Sequence, residues 1–162
     1  MPYSFFHDHF PEIAKHETRA ITVLSESTFQ LPPAEYYLYE MYCDERKCDC
    51  RRVFFSVVSS LRSNVEAVVA WGWESRNFYE KWIGRSDPQI IRELQGPVLN
   101  LTSPQSDLAP AILKLIKDVA LQDRIYVERI KNHYKIFRNK FDKKSVRFSS
   151  TFKKRRKRKK RK

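Results

Sequence analysis

Hydrophobic and polar positions divide the chain into a first part with strand-like segments and a second part with helical ones. Short segments rich in β-branched and aromatic residues predict strands at residues 18–25, 35–42, 51–58 and 65–73. The short connections between them favour an antiparallel meander. The last segment is apolar on both faces after Glu66, which predicts a central position in the sheet.

From Ser75 onward the apolar residues recur with helical spacing. Ser75 and Gly84 predict the ends of one short helix, and residues 87–88 and 96–97 (Asp-Pro and Gly-Pro) those of a second. Asp123 is the predicted cap of the last helix. Two longer apolar faces follow: Leu108, Ile112, Leu115, Ile116 and Val119, then Tyr126, Ile130, Tyr134, Phe137 and Phe141. Strands followed by helices predict an α+β fold, an antiparallel meander of about four strands with helices packed on one face.

The net charge of +13 is concentrated at the end of the 162-residue chain. Ten basic residues close it: Lys153, Lys154, Arg155, Arg156, Lys157, Arg158, Lys159, Lys160, Arg161 and Lys162. The other 22 basic residues (32 less these ten) face 19 acidic ones, so the rest of the chain is nearly balanced. We therefore predict one globular domain at residues 1–144 and a basic tail at residues 145–162 that is disordered when free, because adjacent like charges repel and bury nothing.

Such a tail is expected to bind polyanions through phosphate contacts, without reading sequence. RNA or DNA is the predicted partner, with anionic lipid headgroups or a purely solubilising role as alternatives. The chain shows no secretory signal and no apolar stretch approaching the roughly 20 residues that span a bilayer. An odd number of clustered cysteines also argues against a secreted disulfide framework. These observations predict a cytoplasmic protein, or a nuclear one if the source is a eukaryote.

All three cysteines of the chain lie within eight residues, as Cys43, Cys48 and Cys50. The strands predicted on either side place them at the tip of a β-hairpin. Zinc takes four tetrahedral ligands and prefers thiolate and imidazole, so the cluster predicts a structural zinc site. The C-x4-C-x-C spacing is less specific than paired C-x2-C units.

Three thiolates leave one position for a fourth ligand. His133 is the first choice because it falls on the apolar side of the last predicted helix, where a neutral histidine needs a partner. His16, just before the first predicted strand, is the second choice, and His7 and His9 rank below both. The alternative for His133 is a half-buried histidine bonded to a backbone carbonyl.

Redox chemistry at the thiols is a competing interpretation of the cluster. Arg46, Lys47, Arg51 and Arg52 flank the cysteines and favour the thiolate form. The same charges favour a zinc thiolate site, so they do not discriminate between the two. Iron–sulfur ligation would normally require a fourth cysteine.

Other catalytic patterns are absent from the sequence. With three glycines in all, the chain excludes a P-loop and a dinucleotide-binding fingerprint, and it contains neither G-x-S-x-G nor H-E-x-x-H. An aromatic concentration is expected to serve core packing, with stacking of nucleic-acid bases as the alternative: Trp71, Trp73, Phe78, Tyr79 and Trp82.

Three stretches, YYLYEMYCDERKCDCRRV at residues 36–53, AWGWE around Trp73 and ERIKNHYKIF around His133, resemble a set of uncharacterised microbial proteins. Some of those proteins end in a SecA-type C-terminal cysteine-rich zinc motif, whereas this chain ends in its basic tail. The resemblance implies that the cysteine cluster is a site and that His133 is a candidate within it. It implies no reaction.

These features favour a zinc-stapled binding or adaptor protein whose tail contacts nucleic acid. One alternative is an enzyme of unknown reaction, or a thiol redox protein, that uses the hairpin as scaffold or site. Another is a chain whose body contacts a second protein while the tail holds it to anionic membranes or ribosomal RNA.

Overall fold

The computed structural model describes residues 2–25 and 27–159, with side chains up to residue 143. The described strands are β1 (Tyr3–Phe5), β2 (Arg19–Val23), β3 (Ala34–Cys43), β4 (Arg52–Ser59), β5 (Val65–Gly72) and β6 (Val98–Leu99). The described helices are α1 (Phe6–His9), α2 (Pro11–Glu17), α3 (Arg76–Ile83), α4 (Pro88–Gln95), α5 (Ala109–Asp118) and α6 (Arg124–Lys159). A 3₁₀ turn at Ala120–Gln122 joins α5 to α6.

The strands form one antiparallel sheet in the order β1-β3-β4-β5-β6. β2 pairs with the first half of β3, and β1 pairs with its last three residues. This arrangement confirms the predicted α+β fold and its antiparallel meander. β1 and β6 extend the meander, and at three and two residues they are too short to show the alternation that identifies a strand.

The two central strands are buried on both faces of the sheet. In β4, Val53, Phe55 and Val57 belong to the large core, whereas Phe54 packs on the opposite face against Val68 and Ala70 of β5. A central strand therefore lacks a polar face, as the pattern of residues 65–73 predicted.

The large core lies between one face of the sheet and helices α1, α2, α5 and α6. Both predicted helical faces contribute to it, and its most deeply buried side chains are Tyr36, Leu38, Tyr42, Phe55, Ile112, Leu115, Ile116, Tyr126, Ile130 and Phe137. Burial of these apolar surfaces is the main stabilising contribution to the fold.

The predicted helix ends are formed by the residues that the sequence indicates. Ser75 accepts a hydrogen bond from the backbone N–H three residues later (3.2 Å), and Asp87 caps α4 in the same way. Asp123 caps α6 through its Oδ1. Gly84 ends α3 with φ 73°, a left-handed conformation that glycine adopts at little cost.

The N-terminal segment has structure that the sequence did not indicate. β1, α1 and α2 pack against the sheet and α6, and Phe6 is buried among them. Helices of four and seven residues are too short to be stable alone. Tertiary contacts therefore decide their conformation.

The polybasic segment follows the part of α6 that packs on the sheet. The side chains of residues 144–159, and residues 160–162 altogether, lie outside the described part of the chain. The disorder predicted for residues 145–162 concerns this segment and stays a prediction.

Candidate metal centre

The three cysteines converge at the end of the β3–β4 hairpin. Cys43 is the last residue of β3, Cys48 lies in the connecting loop, and Cys50 comes just before β4. Their sulfur atoms all lie within 4.8 Å of one another. Cys43 and Cys50 are buried, whereas Cys48 is half-buried.

The loop that carries these thiols is unusually constrained. Lys47 and Arg51 have φ values of 61° and 48°, in the left-handed region that side chains with a Cβ disfavour. A tight turn, in which the Cys48 N–H donates to the carbonyl of Glu45 (3.3 Å), folds the loop back toward β4. Such backbone strain persists only where surrounding contacts hold it.

Helix α6 supplies several of those contacts. The Arg138 Nη1 donates to the carbonyl oxygens of Glu45 and Cys48, at 2.8 and 3.0 Å. The Tyr134 hydroxyl accepts the Arg51 N–H (3.2 Å), and Asp142 accepts the Lys47 N–H (3.2 Å). Both left-handed residues are thus held by α6, which joins the hairpin tip to the helix.

The other side of the loop is held by the segment that follows β5 and by α3. The Arg51 guanidinium bonds Asp49 and Glu74 and lies over the ring of Phe78, 4.5 Å from its centroid. The Tyr79 hydroxyl donates to the Arg51 carbonyl at 3.0 Å. The hairpin tip is therefore held on both sides.

Each of the three thiols affects the pKa of the other two. A hydrogen bond from the Cys50 thiol lowers the pKa of Cys43 to about 6, against the opposing effect of burial. The pKa of Cys50 is raised because its ionisation would break that hydrogen bond, and burial adds to the effect. Burial, together with contacts to Cys43, raises the pKa of Cys48 as well. Of the three thiols, Cys43 therefore ionises most readily.

The arrangement suits a soft or borderline metal ion. Tetrahedral zinc at about 2.3 Å from each sulfur spaces the sulfurs about 3.8 Å apart, so small side-chain movements bring all three thiols onto one ion. The metal would displace the remaining thiol protons. Three cysteines close enough to bind a metal ion are therefore present where the sequence predicted them.

His133 lies elsewhere, although the sequence made it the first choice for a fourth ligand. Its Nδ1 lies 2.8 Å from a carboxylate oxygen of Glu40, and its Nε2 lies 2.6 Å from one of Glu17. Its ring stacks on Phe6, with centroids 4.3 Å apart. Among the described residues, the group of potential metal ligands contains the three cysteines and not this histidine. The partner that a buried histidine requires is thus supplied by carboxylates.

Burial would lower the pKa of His133, but the hydrogen bonds and charges of Glu40 and Glu17 outweigh it and raise the pKa. The Tyr42 hydroxyl also donates to Glu40, at 2.6 Å. His133 therefore connects α6 to the buried Glu40 of β3 and to the partly exposed Glu17 of α2.

The other histidines are not part of the cysteine group either. His16 is exposed on α2. His7 packs its ring against Phe5 and Tyr39, and His9 against Phe137 and Phe141.

The aromatic concentration divides between core and surface. Trp71 and Trp73 pack against the large core, and Tyr79 is fully buried. Phe78 supports Arg51, while Trp82 is 42% exposed. The expected packing role is confirmed for the first three.

Sequence reasoning missed Arg138 and Tyr134 as supports of the hairpin loop. Arg138 is buried four residues after Tyr134, on the apolar face of the last helix. A charged residue at such a position is the signal that would have identified it.

The ten basic residues predicted to bind nucleic acid, Lys153 to Lys162, have side chains outside the described part of the chain. Across the described residues, the structure contains no helix both long and apolar enough to cross a membrane. No protein-family model matches the chain, and comparison with curated proteins and with solved structures finds no similar protein.

Proposed function

We propose that this chain is a small zinc-stapled binding protein whose basic C-terminal segment contacts nucleic acid without reading its sequence. The observation that carries the proposal is the convergence of all three cysteines of the chain within 4.8 Å at a hairpin tip. Metal binding there would hold the β3–β4 loop in place and offset the free-energy cost of its two residues in the left-handed conformation.

Zinc is the metal we propose because thiolates suit it and because it forms structural sites at hairpin tips. Soft thiolate ligands also select copper(I) and iron–sulfur clusters, which metal analysis distinguishes. The fourth position would be taken by water or by a ligand outside the three thiols. Cys48, the half-buried thiol, is where such a ligand has access.

Metal analysis of the purified protein tests the zinc site. We expect about one zinc per chain, lost in Cys48→Ser together with several kcal/mol of stability, because metal affinity is folding energy. Arg46→Ser, an exposed change in the same loop, is the matched control and should keep the metal. Protein without bound metal, with three freely titrating thiols and a melting temperature unaffected by chelators, would refute the zinc site.

A thiol redox role is the second candidate, favoured by the closeness of the half-buried Cys48 to two other sulfurs. It requires that mild oxidation join two of the cysteines in a disulfide, which intact-mass measurement detects as the loss of two hydrogens. A zinc-loaded protein that resists this oxidation contradicts the redox role.

The role of the basic segment is tested by neutralising its charge and measuring the affinity for RNA and DNA. Replacing its ten lysines and arginines by glutamine keeps the length and should abolish most affinity for RNA and DNA, because each neutralised phosphate releases a counterion. With all ten engaged, the slope of log affinity against log salt would reach about −7 for a single strand. Equal binding by the neutralised and native chains at about 150 mM salt, roughly physiological ionic strength, would contradict this role.

A further inference from the structure

A cleft of about 610 Å³ opens beside the cysteine cluster, between the hairpin loop, the residues after β5 and helix α6. Cys48 and Asn139 line it together with five basic, three acidic and two aromatic residues. The basic residues are Lys47, Arg51, Lys131, Lys135 and Arg138.

Arg138 is the most unusual of these residues. It is only 8% exposed, and its Nη1 is used to hold the hairpin loop. Among the described residues, no group forms a hydrogen bond with its Nε or Nη2. These two nitrogens form the edge of the guanidinium fork that suits two oxygens of one phosphate, and both are shielded from solvent, so a phosphate would reach them only when neighbouring side chains move aside. Buried donors without a partner raise the free energy of the ligand-free protein. A ligand that accepts hydrogen bonds from them removes this penalty and so binds more tightly.

The acidic residues of the cleft leave it positive. Asp49 and Glu74 both pair with Arg51. Asp142 accepts the Lys47 N–H. Five positive and three negative charges leave a net charge of +2 along the cleft.

Two lysines of α6 contribute accessible charge. Lys131 lies 3.6 Å from Glu128, whose side chain is 74% exposed, and such a surface pair is weak. Lys135, one turn further along α6, is exposed. Both ammonium groups are thus available to an anion in the cleft.

The aromatic residues of the cleft are Trp73 and Tyr134. Their rings meet edge to face with centroids 5.1 Å apart. Tyr134 is buried and fixes the position of the half-buried indole. An aromatic ring beside a positively charged groove is the arrangement by which proteins stack the bases of single strands.

We propose that this cleft binds the backbone of single-stranded nucleic acid, with the Arg138 fork on a phosphate and a base against Trp73. The inference extends the proposed function, since it adds a site in the folded body to the contacts of the basic segment. α6 continues from Arg138 toward that segment, so one strand can engage both. A binding mode of this kind is independent of sequence because every base has a stacking face.

The test uses the full chain and a fluorescent oligothymidylate of about ten nucleotides, a length within the range that single-strand grooves bind. Lys135→Glu is compared with Lys117→Glu, which makes the same charge change on an exposed lysine of α5 outside the cleft. We expect Lys135→Glu to weaken binding more than Lys117→Glu and to reduce the salt slope by about 0.7, the value of one phosphate contact. Equal effects of the two variants would overturn the proposal.

The aromatic contact has a separate readout. Trp73→Ala should weaken oligothymidylate binding about fivefold or more. The indole N–H resonance of Trp73, identified from the Trp73→Phe spectrum, should shift with oligothymidylate more than with inorganic polyphosphate of equal charge. Resonance shifts confined to residues beyond 150, or equal shifts of the Trp73 indole with polyphosphate, would overturn the proposal. The same holds if Lys135→Glu weakens binding to anionic vesicles but not to oligothymidylate. If glutamine substitution of the tail abolishes binding and Lys135→Glu has no effect, the cleft fails while the proposed function stands.

Discussion

Replacing His133 by phenylalanine tests what holds α6 to the sheet. The new ring retains the shape needed to stack on Phe6 but removes both nitrogens that face the carboxylates of Glu40 and Glu17. Glu40 is left with the Tyr42 hydroxyl as its donor.

The two carboxylates differ in burial, so loss of their contacts with His133 should lower the free energy of unfolding by different amounts. The Glu40 side chain is 4% exposed, and removing the partner of a buried charge costs about 3–5 kcal/mol. The Glu17 side chain is 40% exposed, so Glu17→Gln, which weakens only the outer pair, should cost about 0–1 kcal/mol. The double variant H133F/E40Q removes both buried charges and should recover much of the loss.

Urea denaturation followed by circular dichroism measures these free energies of unfolding. His133→Phe, Glu40→Gln and the double variant form a double-mutant cycle with the native chain. The zinc content of H133F should equal that of the native chain, because the histidine does not touch the thiols. A loss below about 1 kcal/mol for H133F would refute the role of the buried ion pair. Loss of zinc from a folded H133F would show that His133 is a ligand after all.

Two further predictions concern pH and packing. The folded-state pKa of His133 is raised, so its stabilising contribution is fully present below about pH 6.5 and is lost as the pH rises through the folded value. The native chain should therefore lose stability relative to H133F/E40Q as the pH rises above about 6.5, and a constant difference would contradict the raised pKa. At Gly72 an added Cβ would meet the Tyr79 hydroxyl and the Leu94 carbonyl oxygen inside van der Waals contact. Gly72→Ala should cost about 1–3 kcal/mol in thermal or urea unfolding through overpacking, and an unchanged midpoint would show that α4 moves aside freely.

The sequence by itself determined the elements whose stability depends on local features. The four longer strands are identified by β-branched and aromatic runs, and the helix ends by side chains such as Ser75 and Asp123 that cap their own helix. The cysteine site was also predictable, because a hairpin brings together residues that are close in sequence.

Only the tertiary structure decided the partners of residues far apart in the chain. His133 was correctly expected on the apolar side of α6, yet the groups that meet it come from Glu40 and Glu17, 93 and 116 positions away. Arg138 reaches the hairpin loop across 90 positions, and that contact forms one wall of the charged cleft. Helical periodicity specifies which face a side chain occupies, whereas the element that packs on this face is selected by the combined burial of the whole core.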